Sequence, residues 1–291
     1  MIKKTPARKA FLICNAIFLV FLCIITLYPI LFVLFASFSD PGLMMKHTGL
    51  LLKPEGFSLE AYRAVMQNPN VWRGYGNTLF VVLIGTFLSL MTTAMAAYAL
   101  SRRSMATRRF FMLMIIFTMM FSGGLIPLFL VVRDIGLYNT RWSLILPVMV
   151  NATNLTIMRT SFQELPVSLE ESAKIDGAND LVIFARICLP LCKATMAVMC
   201  LYYGVAYWNS WFQASIYLRR RELFPLQLIL REILIMNDTS SMDGGSVGDQ
   251  EMIGETIKYA TIIISTLPIL VLYPFLQKYF VKGVMIGAVK G

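Results

Sequence analysis

Six stretches of the chain run for 17 to 30 residues almost free of charge, at residues 11–38, 77–100, 110–132, 142–158, 189–218 and 257–280. A hydrocarbon core roughly 30 Å thick needs about 20 mostly apolar helical residues, so the pattern predicts six membrane-spanning helices. The first stretch follows Lys3, Lys4, Arg8 and Lys9. At 28 residues it outruns the roughly 7–15 apolar residues of a cleavable signal, so it reads as an uncleaved first span. Pro190 near the start of the fifth predicts a bent beginning there. In the third, Gly123 and Gly124 would let helices approach or loosen the span.

Composition agrees with a bilayer environment. The 291 residues are 57% hydrophobic and 14% charged, with a mean hydropathy of +0.68. Ordinary soluble domains hold roughly 45–50% and about 25%, and no core of this size hides such an excess. A disordered chain, a collagen-like chain and a disulfide-stapled secreted miniprotein are excluded. The net charge of +10 would suggest nucleic acid in a soluble protein, but its placement gives another reading. Arg102, Arg103, Arg108 and Arg109 crowd the short loop after the second span, and Lys278, Lys282 and Lys290 end the chain. With the N-terminal group and Arg159, Lys174, Arg186 and Lys193, one side of the membrane collects 15 basic residues and five acidic ones, the entire net charge. By the positive-inside rule that side is cytoplasmic, and both termini lie there. The expected organisation is a cytoplasmic N-terminus at 1–10, a six-span body at 11–280 and a cytoplasmic tail at 281–291. The cysteines Cys14, Cys23, Cys188, Cys192 and Cys200 fall in or beside spans without a completing ligand cluster, as packing groups and not a metal site.

The inner segment 162–190, between the fourth and fifth spans, is too structured for a mere link. Pro166, Ser168 and Glu171 make a capping-box pattern that predicts a helix start. Gly177 follows, suited to positive φ, and Leu181, Val182, Ala185 and Leu189 resume at helical spacing. Helix, sharp turn, helix is the expectation. Periodicity alone favours an amphipathic connector at the membrane surface, and the identities of particular residues change that balance.

Glu171-Ser172-Ala173, three residues, Gly177, nine residues, then Ile187-x-Leu189-Pro190 resembles the EAA motif of permease subunits of bacterial ABC importers. The fuller run Leu169 to Ala178 and the Ile-x-Leu-Pro ending are similar to the carbohydrate-uptake branch, with Ser172 where alanine is usual. Ala97 to Arg102 looks like the end of that family's second span, Ser122 to Pro127 like part of its third, and Gly283 to Gly291 like the tail of maltose-type permeases. The resemblance covers nearly the whole chain and is closest to the oligo- and polysaccharide subgroup. It implies an all-α membrane protein of the type I ABC importer permease fold, with six transmembrane helices and a cytoplasmic coupling helix-turn-helix between the fourth and fifth. It also implies a bacterial cell membrane location and the partners of such an importer: a second homologous permease, two ATP-binding subunits and an external solute-binding protein.

In that family the helix-turn-helix enters a cleft of the ATPase. The coupling residues implied here are Glu170, Glu171, Ser172, Ala173, Asp176, Gly177, Ala178, Ile187, Leu189 and Pro190. Glu171 or its neighbour Glu170 would meet a basic residue of the ATPase, or simply cap a solvated helix start. No cofactor is expected in this chain: it has no G-x-x-x-x-G-K-[ST] loop, so ATP and Mg belong to the partner. The outer loop 219–256, through Arg219, Arg220, Phe224 and Pro225, would touch the binding protein or stand solvated. Polar and aromatic groups inside spans, Asn151, Asn154, Tyr202, Tyr203, Tyr207, Trp208, Asn209 and Trp211, are candidates for the translocation path, and helix packing explains them as well. An intramembrane enzyme lacks its constellation, since the single histidine, His47, stands in an outer loop. A secondary transporter or channel of six spans without an ATPase is the alternative class, but it would be expected to bury coupling charges that these spans lack.

Overall fold

Uninterrupted apolar sequence from Phe11 makes one long helix, α1 (Pro6–Ser37), most of whose side chains stay exposed, as a lipid-facing surface requires. The computed structural model describes residues 6–102, 104–240, 256–271 and 274, and its described elements are helices. They are α2 (Pro41–Lys46), α3 (Glu60–Gln67), α4 (Pro69–Ser101), α5 (Arg108–Met120), α6 (Leu125–Asp134), α7 (Ala152–Gln163), α8 (Val167–Ile175), α9 (Asp180–Leu191), α10 (Lys193–Trp208), α11 (Trp211–Tyr217), α12 (Leu226–Ser240) and α13 (Thr256–Val271). The C-terminal tail, Arg103 and most of the segment 238–250 lie outside the described residues.

The chain divides into two compact units, residues 1–69 with 232–267, and residues 70–231 with 268–291. In the first, α1 meets α13 through Phe32 and Tyr259, edge to face at 5.8 Å, and Ser37 shares a hydrogen bond with Tyr62 at 2.8 Å. Asp40 caps α2 by accepting from the Gly42 and Leu43 amides, with Pro41 pre-set for the first turn. His47 stands 3.4 Å from the Glu55 carboxylate.

In the second unit, α4 buries a stripe of small residues at helical spacing, including Gly74, Thr78, Val81, Gly85, Ser89, Thr93 and Ala97. Lipid offers no hydrophobic drive for helix association, so close packing and hydrogen bonds hold such contacts. Tyr203 and Tyr207 of α10 reach across to Thr93 and Ser89, each at 2.7 Å. Bonds of this kind contribute roughly 0.6 kcal/mol each inside membranes. A methyl group on Gly85 would lie 2.9 Å from the Tyr207 ring, which those bonds hold in place. Gly85→Ala is therefore expected to cost about 1–3 kcal/mol, seen as a lower melting midpoint of the detergent-solubilised chain. An unchanged midpoint would mean that the ring shifts freely.

Several predicted spans are interrupted. Among the described residues, two helices, α1 and α4, are long and apolar enough to cross a membrane unbroken, and two bent pairs supply up to two more. The stretch 110–132 becomes α5 and α6, bent by 118° where Gly124 takes φ +87°, the loosening its glycine pair allowed. In 142–158, two short 3₁₀ turns come first, Arg141–Leu144 and Leu146–Val148, the second containing Pro147, and α7 starts where Asn151 accepts from the Asn154 amide. The stretch 189–218 breaks at Cys192, with an 83° bend between α9 and α10, and again at Asn209 and Ser210. The bend is the one that Pro190 predicted, placed two residues later. The stretch 257–280 is described as helix through Val271.

Candidate functional site

The segment between α7 and α10 folds as helix, turn and helix, held against α4 by an aromatic cluster. Tyr98 of α4, Phe162 of α7 and Phe184 of α9 form a triangle with centroid distances of 6.0, 5.1 and 6.3 Å. Ile183, Cys188 and Met199 complete the cluster, and Ala173 is the residue that α8 buries in it. Arg159 fastens α7 to the last turn of α4 by donating to the Leu100 carbonyl at 3.0 Å. Ser161 and Thr195 share a bond at 2.8 Å between α7 and α10.

The turn after α8 has a specific chemistry. Ala178 donates to the Ala173 carbonyl at 2.9 Å and Gly177 to that of Lys174 at 3.0 Å, the paired bonds of a Schellman ending. Gly177 takes φ +81°, a region costly to residues with a Cβ. A methyl there would meet nothing within 4 Å among the described residues, which leaves the turn open on that side. On either side, Ile175 and Leu181 are 86% and 70% exposed, large apolar groups left bare around the glycine. Glu171, Ser172 and Asp176 are exposed too, and Asp180 lies 3.7 Å from Lys174.

One local expectation fails. Ser168 does not cap α8: Pro166 stands at the N-cap with no side-chain bond, and Ser168 lies inside the first turn, so Ser168 and Glu171 form no capping box. The helix resumes as the spacing predicts, and the residues that α9 buries are Ile183, Phe184 and Cys188, with Leu189 partly buried and Leu181, Val182 and Ala185 exposed. These buried residues belong to a π-helical stretch, Ile183–Cys188, a wider turn of the kind that concentrates at functional sites. Ile187 and Leu189 pack partly against the cluster, and Pro190 is exposed.

Sequence reading did not separate Glu170 from Glu171, and the structure does. Glu170 forms an ion pair with Arg102 at the end of α4, both side chains 16% exposed, while Glu171 is exposed and makes no ion pair among the described residues. Arg102 was legible only as part of the inner charge and of the Ala97–Arg102 stretch.

The other candidates fall in varied surroundings. Asn154, Tyr203, Tyr207 and Trp208 are buried, and Tyr203 also accepts from the Asn151 amide at 3.2 Å. Tyr202 and Asn209 are exposed, and Trp211 is half-buried beneath the Arg231 guanidinium at 3.7 Å. Arg219 and Arg220 are exposed, their amides donating to the Asn139 side chain at 3.0 Å, with Asn139 itself at φ +60°. Pro225 is buried, and Phe224 is partly buried with its carbonyl accepting from Asn77 at 3.0 Å. Asn77 also bonds the Glu222 carbonyl at 2.7 Å, which anchors the start of that loop on α4.

Comparison with known proteins converges on one family. Residues 89–286 match the binding-protein-dependent transport system inner membrane component. The chain is 41% identical to Protein LplC of Bacillus subtilis (strain 168), over 99% of this chain and 97% of that one. It is 42% identical to the polygalacturonan/rhamnogalacturonan transport system permease protein YtcP of the same strain, over 94% and 96%. Among solved structures, a chain of a bacterial ABC transporter involved in the import of the acidic polysaccharide alginate superposes with a TM-score of 0.87 at 33% identity, covering 96% of this chain and 100% of that one.

Proposed function

The chain belongs to the binding-protein-dependent transport inner membrane family, and from that membership we propose how it works as the permease of an ATP-driven importer of oligo- or polysaccharide. It is a membrane protein and a permease rather than a catalytic subunit. The proposed assembly adds a second permease, two ATP-binding subunits and an external solute-binding protein. Six crossings are proposed, counting each bent pair as one and including α7 and α13, with both termini inside.

The observation that carries the coupling role is the open turn at Gly177, flanked by bare Ile175 and Leu181 and by exposed Glu171. Exposed apolar groups grouped around a charge mark a protein-binding surface. ATP-driven closure of the ATPases would push on α8, and the aromatic cluster beneath it would carry the displacement into α4, α7 and α10. On the outer side, Arg219 and Arg220, held in place by Asn139, are proposed to meet the binding protein. Phe224 and Pro225 would then support that loop from within. Within the spans, exposed Tyr202 and Asn209 and half-exposed Trp211 are the groups best placed to meet sugar, aromatic faces stacking and the amide bonding hydroxyls. Tyr203 and Tyr207 serve this path indirectly, by locking α10 to α4.

Copurification and reconstitution test the reading. The tagged chain, expressed with its partners, should retain an ATPase and a second permease. In proteoliposomes with the binding protein, it should accumulate labelled oligosaccharide only when ATP is supplied. Transport by the chain alone would overturn the assignment.

A further inference from the structure

Resting on the coupling role proposed above, we infer that Arg102 is a positioning residue that ties the coupling helix to the end of α4, so that displacement of one is transmitted to the other. Arg102 follows the last helical residue of α4, Ser101, and its guanidinium meets three partners from three elements. It pairs with Glu170 of α8, lies 4.0 Å above the Tyr98 ring of α4, and donates to the Cys188 sulfur of α9 at 3.5 Å. A planar cation can stack on a ring and bond in its own plane at once, and an ammonium cannot reproduce that pair of contacts.

Little else holds α8 at its midpoint. Ala173 is the residue it buries, and a crevice of about 1090 Å³ opens beside it, walled by Arg102, Arg108, Arg109 and Arg159. The flanking links are short: Glu164, Leu165 and Pro166 before it, and the Gly177 turn after it. Without the ion pair, the seat of Ala173 in the aromatic cluster would be the main tie left between α8 and α4 among the described residues, and α8 would shift more readily without taking α4 along. With it, a push on α8 reaches α4 through a charged pair that is only 16% exposed on each side and therefore weakly screened. Glu170 and Arg102 thus act inside the chain, and Glu171 is left for the partner.

The test separates coupling from assembly. In the reconstituted importer, Glu170→Gln should keep the ATPase bound and hydrolysing within about twofold of wild type, while sugar transported per ATP falls about tenfold, within the usual range of coupling between sites. Arg102→Lys, which keeps the charge and loses the planar stacking, should fall between the two. The swap Arg102→Glu with Glu170→Arg should recover much of the loss, as a pairwise interaction requires. An unchanged ratio in Glu170→Gln, or a swap no better than the single variants, would overturn the tie while leaving the coupling role intact. A ratio that falls only as bound ATPase is lost would also overturn it, since that is a seating defect. Failure of the wild-type chain to retain any ATPase would instead remove the coupling role, and the tie with it.

Discussion

Gly177→Asp should abolish sugar uptake while the chain still inserts in the membrane and folds. The physical reason is that two costs usually mixed at a glycine are separable at this one. The first is conformational: φ +81° penalises a residue with a Cβ by about 1–2 kcal/mol, less for Asn and Asp, whose side chains tolerate this region. The second is steric, and inside the chain it vanishes, because an added Cβ would meet nothing within 4 Å among the described residues. Gly177→Asn should then nearly preserve stability, and Gly177→Ala should lower it modestly. A loss of uptake far larger than the backbone cost must come from a surface outside this chain pressed against the turn. An aspartate placed there puts a charge and extra atoms between Ile175 and Leu181, where the partner is proposed to dock. The measurements are uptake in whole cells, the amount of chain in the membrane fraction and its melting midpoint. Normal uptake by Gly177→Asp would sink the coupling role, and a collapsed midpoint would relocate the effect to folding.

The sequence made the turn legible and the register around it illegible, for physical reasons that differ. A glycine just after a helical run announces a left-handed ending wherever it stands, because the requirement is local. A π-helical stretch has no such signature. Its wider turn spans the residues that α9 buries, Ile183, Phe184 and Cys188, with the Phe184 ring against Tyr98 and Phe162. The breaks in the spans divide the same way. Gly123 and Gly124 signalled a weak point in the third apolar stretch, but nothing in a run of apolar residues gives the 118° at which its halves meet. Asn151 looked like a polar group within a span and proves to be a helix cap, since capping depends on where the backbone already bends at Pro147. Arg102 and Glu170 lie 68 positions apart, and only the tertiary fold selects Glu170 rather than Glu171 as the partner.

Ala173→Leu should detach the ATPase from the importer by unseating α8. Ala173 is 8% exposed and lies on the cluster of Tyr98, Phe162 and Phe184, with no larger side chain of α8 buried beside it. Three added carbons would press into that cluster, and overpacking of this kind costs about 1–3 kcal/mol. The cluster itself is held by edge-to-face rings and by the Arg159 bond to Leu100, so the cheaper relief is for α8 to lift away. If the ATPase binds only the seated helix, its apparent affinity falls by the same free energy, roughly a factor of 5 to 150. Ser172→Ala is the matched control: Ser172 is exposed, the change removes one hydroxyl, and the neighbouring backbone is undisturbed, so binding should stay at the wild-type level. Affinity is read by titrating the purified ATPase against the solubilised permease pair. Undiminished affinity in Ala173→Leu would show that the partner grips the turn at Gly177 without needing the seat beneath α8. The Gly177 and Ala173 variants thus probe opposite faces of one helix: the first blocks the outer surface with the inner packing intact, and the second breaks the inner packing with the outer surface unchanged. Loss of ATPase binding in both is what a rigid coupling helix pressed between two bodies requires.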